Sequence, residues 1–167
     1  MTWGTTQIAK PDAESAPVET ASAEDSRKAL RAVLVDERSD RRGLTRTIID
    51  VALGTGTVVA EVGNLREAST AVERHRADAV LLELRTPLVE WLAGIAQLRA
   101  THPSLVIVVC TFRADLATRF QACDAGADAY LVKPVSAREL RCALDPAQPG
   151  LAVHATKGIV EPPITFS

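Results

Sequence analysis

The sequence predicts an α/β domain in which a five-stranded parallel sheet lies between two layers of helices. Three observations lead there. Five short runs are continuously apolar, as parallel strands buried on both faces must be. The stretches between them carry apolar residues at helical spacing. Strand and helix then alternate five times between Arg31 and Asp145, the pattern of a three-layer sandwich.

The elements follow in order. Ala32-Val33-Leu34-Val35 reads as the first strand, and Leu44, Ile48 and Val51 mark the helix after it. Val58-Val59-Ala60 is the second strand. Asn64 with Glu67 three residues on forms a capping box that opens the second helix, through Ala68, Ala71 and Val72. Ala79-Val80-Leu81-Leu82 is the third strand, and its helix is marked by Trp91, Ile95 and Leu98. Leu105 to Cys110 is the fourth, followed by Leu116, Phe120 and Cys123 at helical spacing. Tyr130-Leu131-Val132 is the fifth, and Ser136 with Glu139 caps a last helix through Leu140 and Leu144.

A chain of 167 residues accommodates one such domain with chain to spare. Residues 1–28, rich in Ala, Ser, Thr, Glu and Pro, lack any period and are expected to form an extended arm. Residues 29–145 form the domain. Residues 146–167 form an irregular tail, broken by Pro146, Pro149, Pro162, Pro163, Gly150 and Gly158. The net charge of −2 excludes a broadly cationic nucleic-acid or membrane-surface binder. No run approaches the ~20 apolar residues of a membrane span. Met1 to Lys10 has neither the basic head nor the apolar stretch of a secretory signal, so a cytoplasmic protein is expected. Cys110, Cys123 and Cys142 match no zinc or redox spacing and read as reduced thiols. Gly54-Thr55-Gly56 follows a helix and reads as a loop, not a phosphate cradle. Arg38, Arg41, Arg42 and Arg46 read as a solvated basic stripe, with Asp40 and Asp50 nearby.

In a parallel sheet, ligands bind beyond the carboxyl ends of the strands. Asp36 and Glu37 follow the first strand, Glu83 the third, Thr111 ends the fourth, and Lys133 ends the fifth. Three carboxylates, a hydroxyl and an ammonium thus converge on one rim. Clustered carboxylates repel unless a cation intervenes; Mg²⁺ is one candidate. The guanidiniums of Arg85 and Arg113 are the other, needing no metal. Lys133 and Thr111 suit an anion such as a phosphoryl group. None of His75, His102 or His154 lies at a strand's carboxyl end, so no enzyme activity is expected.

Ala32 to Leu144 resembles the receiver domain of bacterial two-component response regulators. The matching stretches are Val33-Leu34-Val35-Asp36-Glu37, Asp78 to Pro87 (DAVLLELRTP), Val108 to Thr111, and Asp124 to Pro134 (DAGADAYLVKP). The resemblance implies flavodoxin-like strand order and a cis bond before Pro134. It also implies Mg²⁺ between Asp36, Glu37 and the phosphoacceptor position, and a switch through Thr111 and Tyr130 to the face of the fourth and fifth helices.

The sequence departs from the family where it matters most. Glu83 stands at the phosphorylated aspartate's position, its carboxylate one methylene farther out, roughly 1.5 Å. That displacement works against in-line phosphoryl transfer and carries a negative charge toward the phosphoryl position, as an imperfect mimic. Phe112 replaces the small residue that similar receivers keep after Thr111, and its ring is placed to lid the pocket. Trp91 stands where Gly is common. The expected function is therefore a phosphorylation-independent receiver that acts by binding a protein. Trp3, Ile8, Ile164 and Phe166 would anchor its arms to a larger assembly. The alternative is a working phosphoacceptor in a two-component phosphorelay.

Overall fold

Backbone hydrogen bonds join the apolar runs into a single sheet. The computed structural model describes residues 29–144. In chain order these form β1 (Ala32–Val35), α1 (Ser39–Leu53), β2 (Val58–Val62), α2 (Leu65–His75), β3 (Ala79–Leu82), α3 (Leu88–Thr101), β4 (Val106–Thr111), α4 (Leu116–Asp124), β5 (Ala129–Val132) and α5 (Ala137–Leu144). The strands lie in the order β2-β1-β3-β4-β5, every pairing parallel. This is the flavodoxin-like three-layer sandwich that the sequence predicts. The arm and the tail lie outside the described residues.

Alternation along the strands feeds two cores. Val33, Val35, Val80, Leu82, Ile107, Val109 and Tyr130 pack under α2, α3 and α4 against Ala68, Val72, Ile95, Leu98 and Ala122. Ala32, Leu34, Ala79, Leu81, Val108, Cys110 and Leu131 face the other way, against Ile49 and Ala52 of α1 and Leu140 and Leu144 of α5. Each large aliphatic side chain buried this way contributes about 1.5–3 kcal/mol. β2 runs on to Val62, two residues past its apolar run, because it is an edge strand: Glu61 stays exposed and meets Arg46 at 2.7 Å.

Two helices turn other residues inward than those that mark them in the sequence. In α1 the buried positions are Ile49 and Ala52, while Leu44, Ile48 and Val51 face solvent. In α4 they are Thr118 and Ala122, while Leu116 and Phe120 are exposed. Both capping signals operate. Asn64 accepts from the Glu67 N–H at 2.9 Å. Ser136 Oγ accepts from the Glu139 N–H, whose carboxylate accepts in return from the Ser136 N–H at 2.8 Å. Arg141 donates to the carbonyl of Ala52 at the end of α1, tying α5 to it.

Strand order reverses between β1 and β3. Val35 pairs with Leu82 there, so the residues that follow, Asp36 and Glu83, emerge side by side.

Candidate functional site

Asp36 and Glu83 are held in place by the strand ends that carry them. The Asp36 N–H donates to Val62 O and the Glu83 N–H to Val35 O, both at 3.1 Å. Both side chains are buried, at 1% and 6% exposure, so each carboxylate requires a partner. Lys133, positioned by its N–H bond to Thr111 O at 2.8 Å, places its Nζ 2.6 Å from Glu83 Oε2. Arg85 places Nη2 3.0 Å from Asp36 Oδ1, which also accepts from the Arg38 N–H at 3.0 Å. Leu84, between Glu83 and Arg85, is sunk into the core under α2 and α3. Two carboxylates and two cations thus form a charge-balanced group. Asp36 Oδ2 and Arg85 Nε are buried without a partner.

The other predicted residues divide between the pocket and its surroundings. Thr111 is buried, and its Oγ1 accepts from the Arg113 N–H at 3.3 Å. Tyr130 is turned into the core and donates its hydroxyl to Arg113 O at 2.9 Å. Arg113 therefore enters the site through its backbone. Burial, aided by the charge of Asp115, pushes the Tyr130 phenol up to about 12. The exposed Phe112 ring has the Lys133 ammonium 5.3 Å and the Arg41 guanidinium 5.7 Å from its centroid, within cation–π range. Trp91 is half-buried against the α2/α3 core. Glu37 is exposed and lines the neighbouring cleft beside Thr86 and Pro87, apart from the buried pair. The Lys133–Pro134 bond is cis, as is Thr86–Pro87. Trp3, Ile8, Ile164 and Phe166 lie outside the described residues.

Sequence reasoning missed two contributors. Arg38 supplies its backbone N–H to Asp36, which no side-chain pattern announces, while its guanidinium pairs with Asp40. Cys110 closes the pocket floor, its thiol pushed up to about 12 by burial. Its position as an inward residue of β4 was the available signal.

The response regulator receiver domain model matches residues 32–145. The chain belongs to the response regulator receiver family. Among curated relatives, this receiver is 33% identical over 120 residues to a protein-glutamate methylesterase/protein-glutamine glutaminase 1 of Paramagnetospirillum magneticum, covering 70% of this chain and 31% of that protein. It is 37% identical over 108 residues to the response regulator MprA of Mycolicibacterium vanbaalenii, covering 65% and 45%. A Burkholderia pseudomallei response regulator, solved with a phosphorylated aspartic acid, calcium ion and citrate, superposes with a TM-score of 0.56 at 25% identity, covering 69% and 66%. The chain spans less than half the length of the curated relatives it matches. Among the described residues, no helix is long and apolar enough to cross a membrane.

Receiver domains typically bind Mg²⁺ at the phosphorylation site. Here Arg85 and the Arg38 N–H occupy Asp36 Oδ1, Lys133 occupies Glu83 Oε2, and Glu37 stands apart. Among the described residues, no three acidic, His or Cys side chains gather in a way that holds a metal. Mg²⁺ requires an octahedron of available oxygens, several of them from water, and in this buried pair Asp36 Oδ1 and Glu83 Oε2 already meet cations. The site as arranged does not fit Mg²⁺.

Proposed function

We propose that this receiver acts without phosphorylation, as a protein-interaction module whose site is held in one charge state. The Glu83–Lys133 pair at 2.6 Å carries the reading. The longer glutamate already delivers a carboxylate to the ammonium that a phosphoryl oxygen would otherwise meet. Phe112 over Lys133 adds a cover to the same group.

Protein contact is supported by apolar side chains left in solvent. Leu116 and Phe120 stand exposed on α4, and Leu44 and Ile48 on α1 beside Phe112. The last three, with Val135 and Leu140 of the α5 side, line an apolar groove of about 420 Å³. A protein partner follows, with residues 1–28 and 146–167 as its further attachments through Trp3, Ile8, Ile164 and Phe166.

The test is exposure of the full chain to acetyl phosphate with Mg²⁺, and separately to beryllofluoride. No acyl-phosphate label and no change in the amide spectrum are expected. Label that appears on the native chain and vanishes in Glu83→Gln would establish a phosphoacceptor instead.

A further inference from the structure

We propose that Arg85 is the receiver's built-in counter-cation, standing in the charge-neutralising place of a divalent ion on Asp36 and keeping that ion out. The inference rests on the phosphorylation-independent reading of Glu83 and assigns a role to a residue beyond it.

Geometry carries the argument. Leu84 is anchored in the core under α2 and α3, so the residues flanking it, Glu83 and Arg85, reach Lys133 and Asp36. The guanidinium is itself largely withdrawn from solvent, at 22% exposure of the side chain against 2% for Asp36. A group so placed is part of the site and not a surface charge drifting past it. Arginine suits the post: it stays protonated at every accessible pH and is more weakly hydrated than an ammonium, so it enters a buried pair more readily.

Charge balance works against a further cation. Asp36 and Glu83 carry two negative charges, Arg85 and Lys133 two positive ones, within one cluster. A divalent ion entering this neutral group would meet two cations at short range, with little water to screen them. To use Asp36 Oδ1 it would also have to displace Arg85 from that oxygen. Yet the carboxylate is not saturated. Asp36 Oδ2, in a residue 1% exposed, has no partner. Removal of the guanidinium would therefore leave Asp36 Oδ2 without a partner and Oδ1 held only by the Arg38 N–H, with Glu83 on the next strand end: a latent divalent-cation site.

Mn²⁺ is the probe, followed by electron paramagnetic resonance and isothermal titration on the full chain. The native protein is expected to show no saturable binding at low-millimolar Mn²⁺. Arg85→Ser is expected to bind at least about tenfold more tightly, and Arg85→Ser/Asp36→Asn to lose the gain. Native binding as tight as the variant's, or a folded Arg85→Ser that gains nothing, overturns the proposal. Should Arg85→Ser fail to fold, Arg85→Gln, which keeps the length and removes the charge, gives the same reading. The native arm needs no variant. Metal binding and acyl-phosphate label are separate readouts, so failure here is distinct from failure of the reading it rests on.

Discussion

The Lys133 ammonium lies 2.6 Å from Glu83 Oε2, with the two side chains at 15% and 6% exposure. A pair this buried is fragile to the loss of one partner, because the survivor keeps its desolvation penalty without its attraction. Lys133→Met is therefore expected to destabilise the domain by about 3 kcal/mol. Lys133→Met/Glu83→Leu should recover most of that loss, since two apolar groups leave no buried charge. Urea unfolding of the two singles and the double forms the cycle; a double-variant cost equal to the sum of the two single costs would show that the pair is not coupled.

Stability should fall at alkaline pH through two buried acids. The Cys110 thiol is pushed from 9.0 up to about 12 by burial, and the Tyr130 phenol from 10.0 up to about 12, again chiefly by burial. Each is neutral in its protonated form, and in the unfolded chain each loses its proton first. The unfolded state then binds fewer protons, so stability is full below pH 9 and declines as pH rises toward about 12. Chemical denaturation across this range tests the window. Tyr130→Phe should shallow the part that begins near pH 10, at a neutral-pH cost of about 1 kcal/mol for the lost bond to Arg113 O. By the same burial, Cys110 should resist thiol reagents in the native state, while Cys123 and Cys142, both half-buried, react first.

Gly126 serves the turn between α4 and β5 with φ of +112°, and a Cβ there would lie 2.9 Å from Cβ and Cγ of Arg99. Arg99 cannot easily yield. Its guanidinium bonds Gly126 O and Leu105 O and pairs with Asp128, which in turn accepts from the Ile107 N–H. Gly126→Ala combines backbone strain with this collision and is expected to cost about 1–3 kcal/mol. Thermal unfolding beside Gly43→Ala, a helical glycine with open space around it, separates the two kinds of position: the latter should be neutral or slightly stabilising.

The sheet was legible because burial on both faces leaves no freedom in residue type: all four positions of β1 and of β3 are buried, and their runs are unbroken. The pocket was legible at Asp36, Glu83 and Lys133 because each directly follows the last residue of a strand. Its internal pairing was not. That Arg85 takes Asp36 while Arg113 enters through its backbone depends on where each chain segment turns after its strand, and both are simply arginines two or three residues beyond a strand end. Glu37 shows the same limit, adjacent to Asp36 in sequence yet directed to another cleft.

Helix faces were the other limit, and they give a direct test. In α1, Ile48 and Ile49 are chemically identical neighbours, and the spacing Leu44, Ile48, Val51 selects Ile48 as part of an apolar stripe. Structure reverses their weight: Ile49 is wholly buried against the sheet, whereas Ile48 is 38% exposed beside Leu44 at 67%. Ile49→Ala should therefore cost about 2–5 kcal/mol through lost burial and a cavity, and Ile48→Ala less than about 1 kcal/mol. Conversely, if the α1 stripe serves a partner, Ile48→Asp and Leu44→Asp should leave the melting temperature nearly unchanged while weakening association of the full chain with that partner. Equal destabilisation by Ile48→Ala and Ile49→Ala would mean that the stripe is core, and the groove between α1 and α5 would lose its claim as a contact surface.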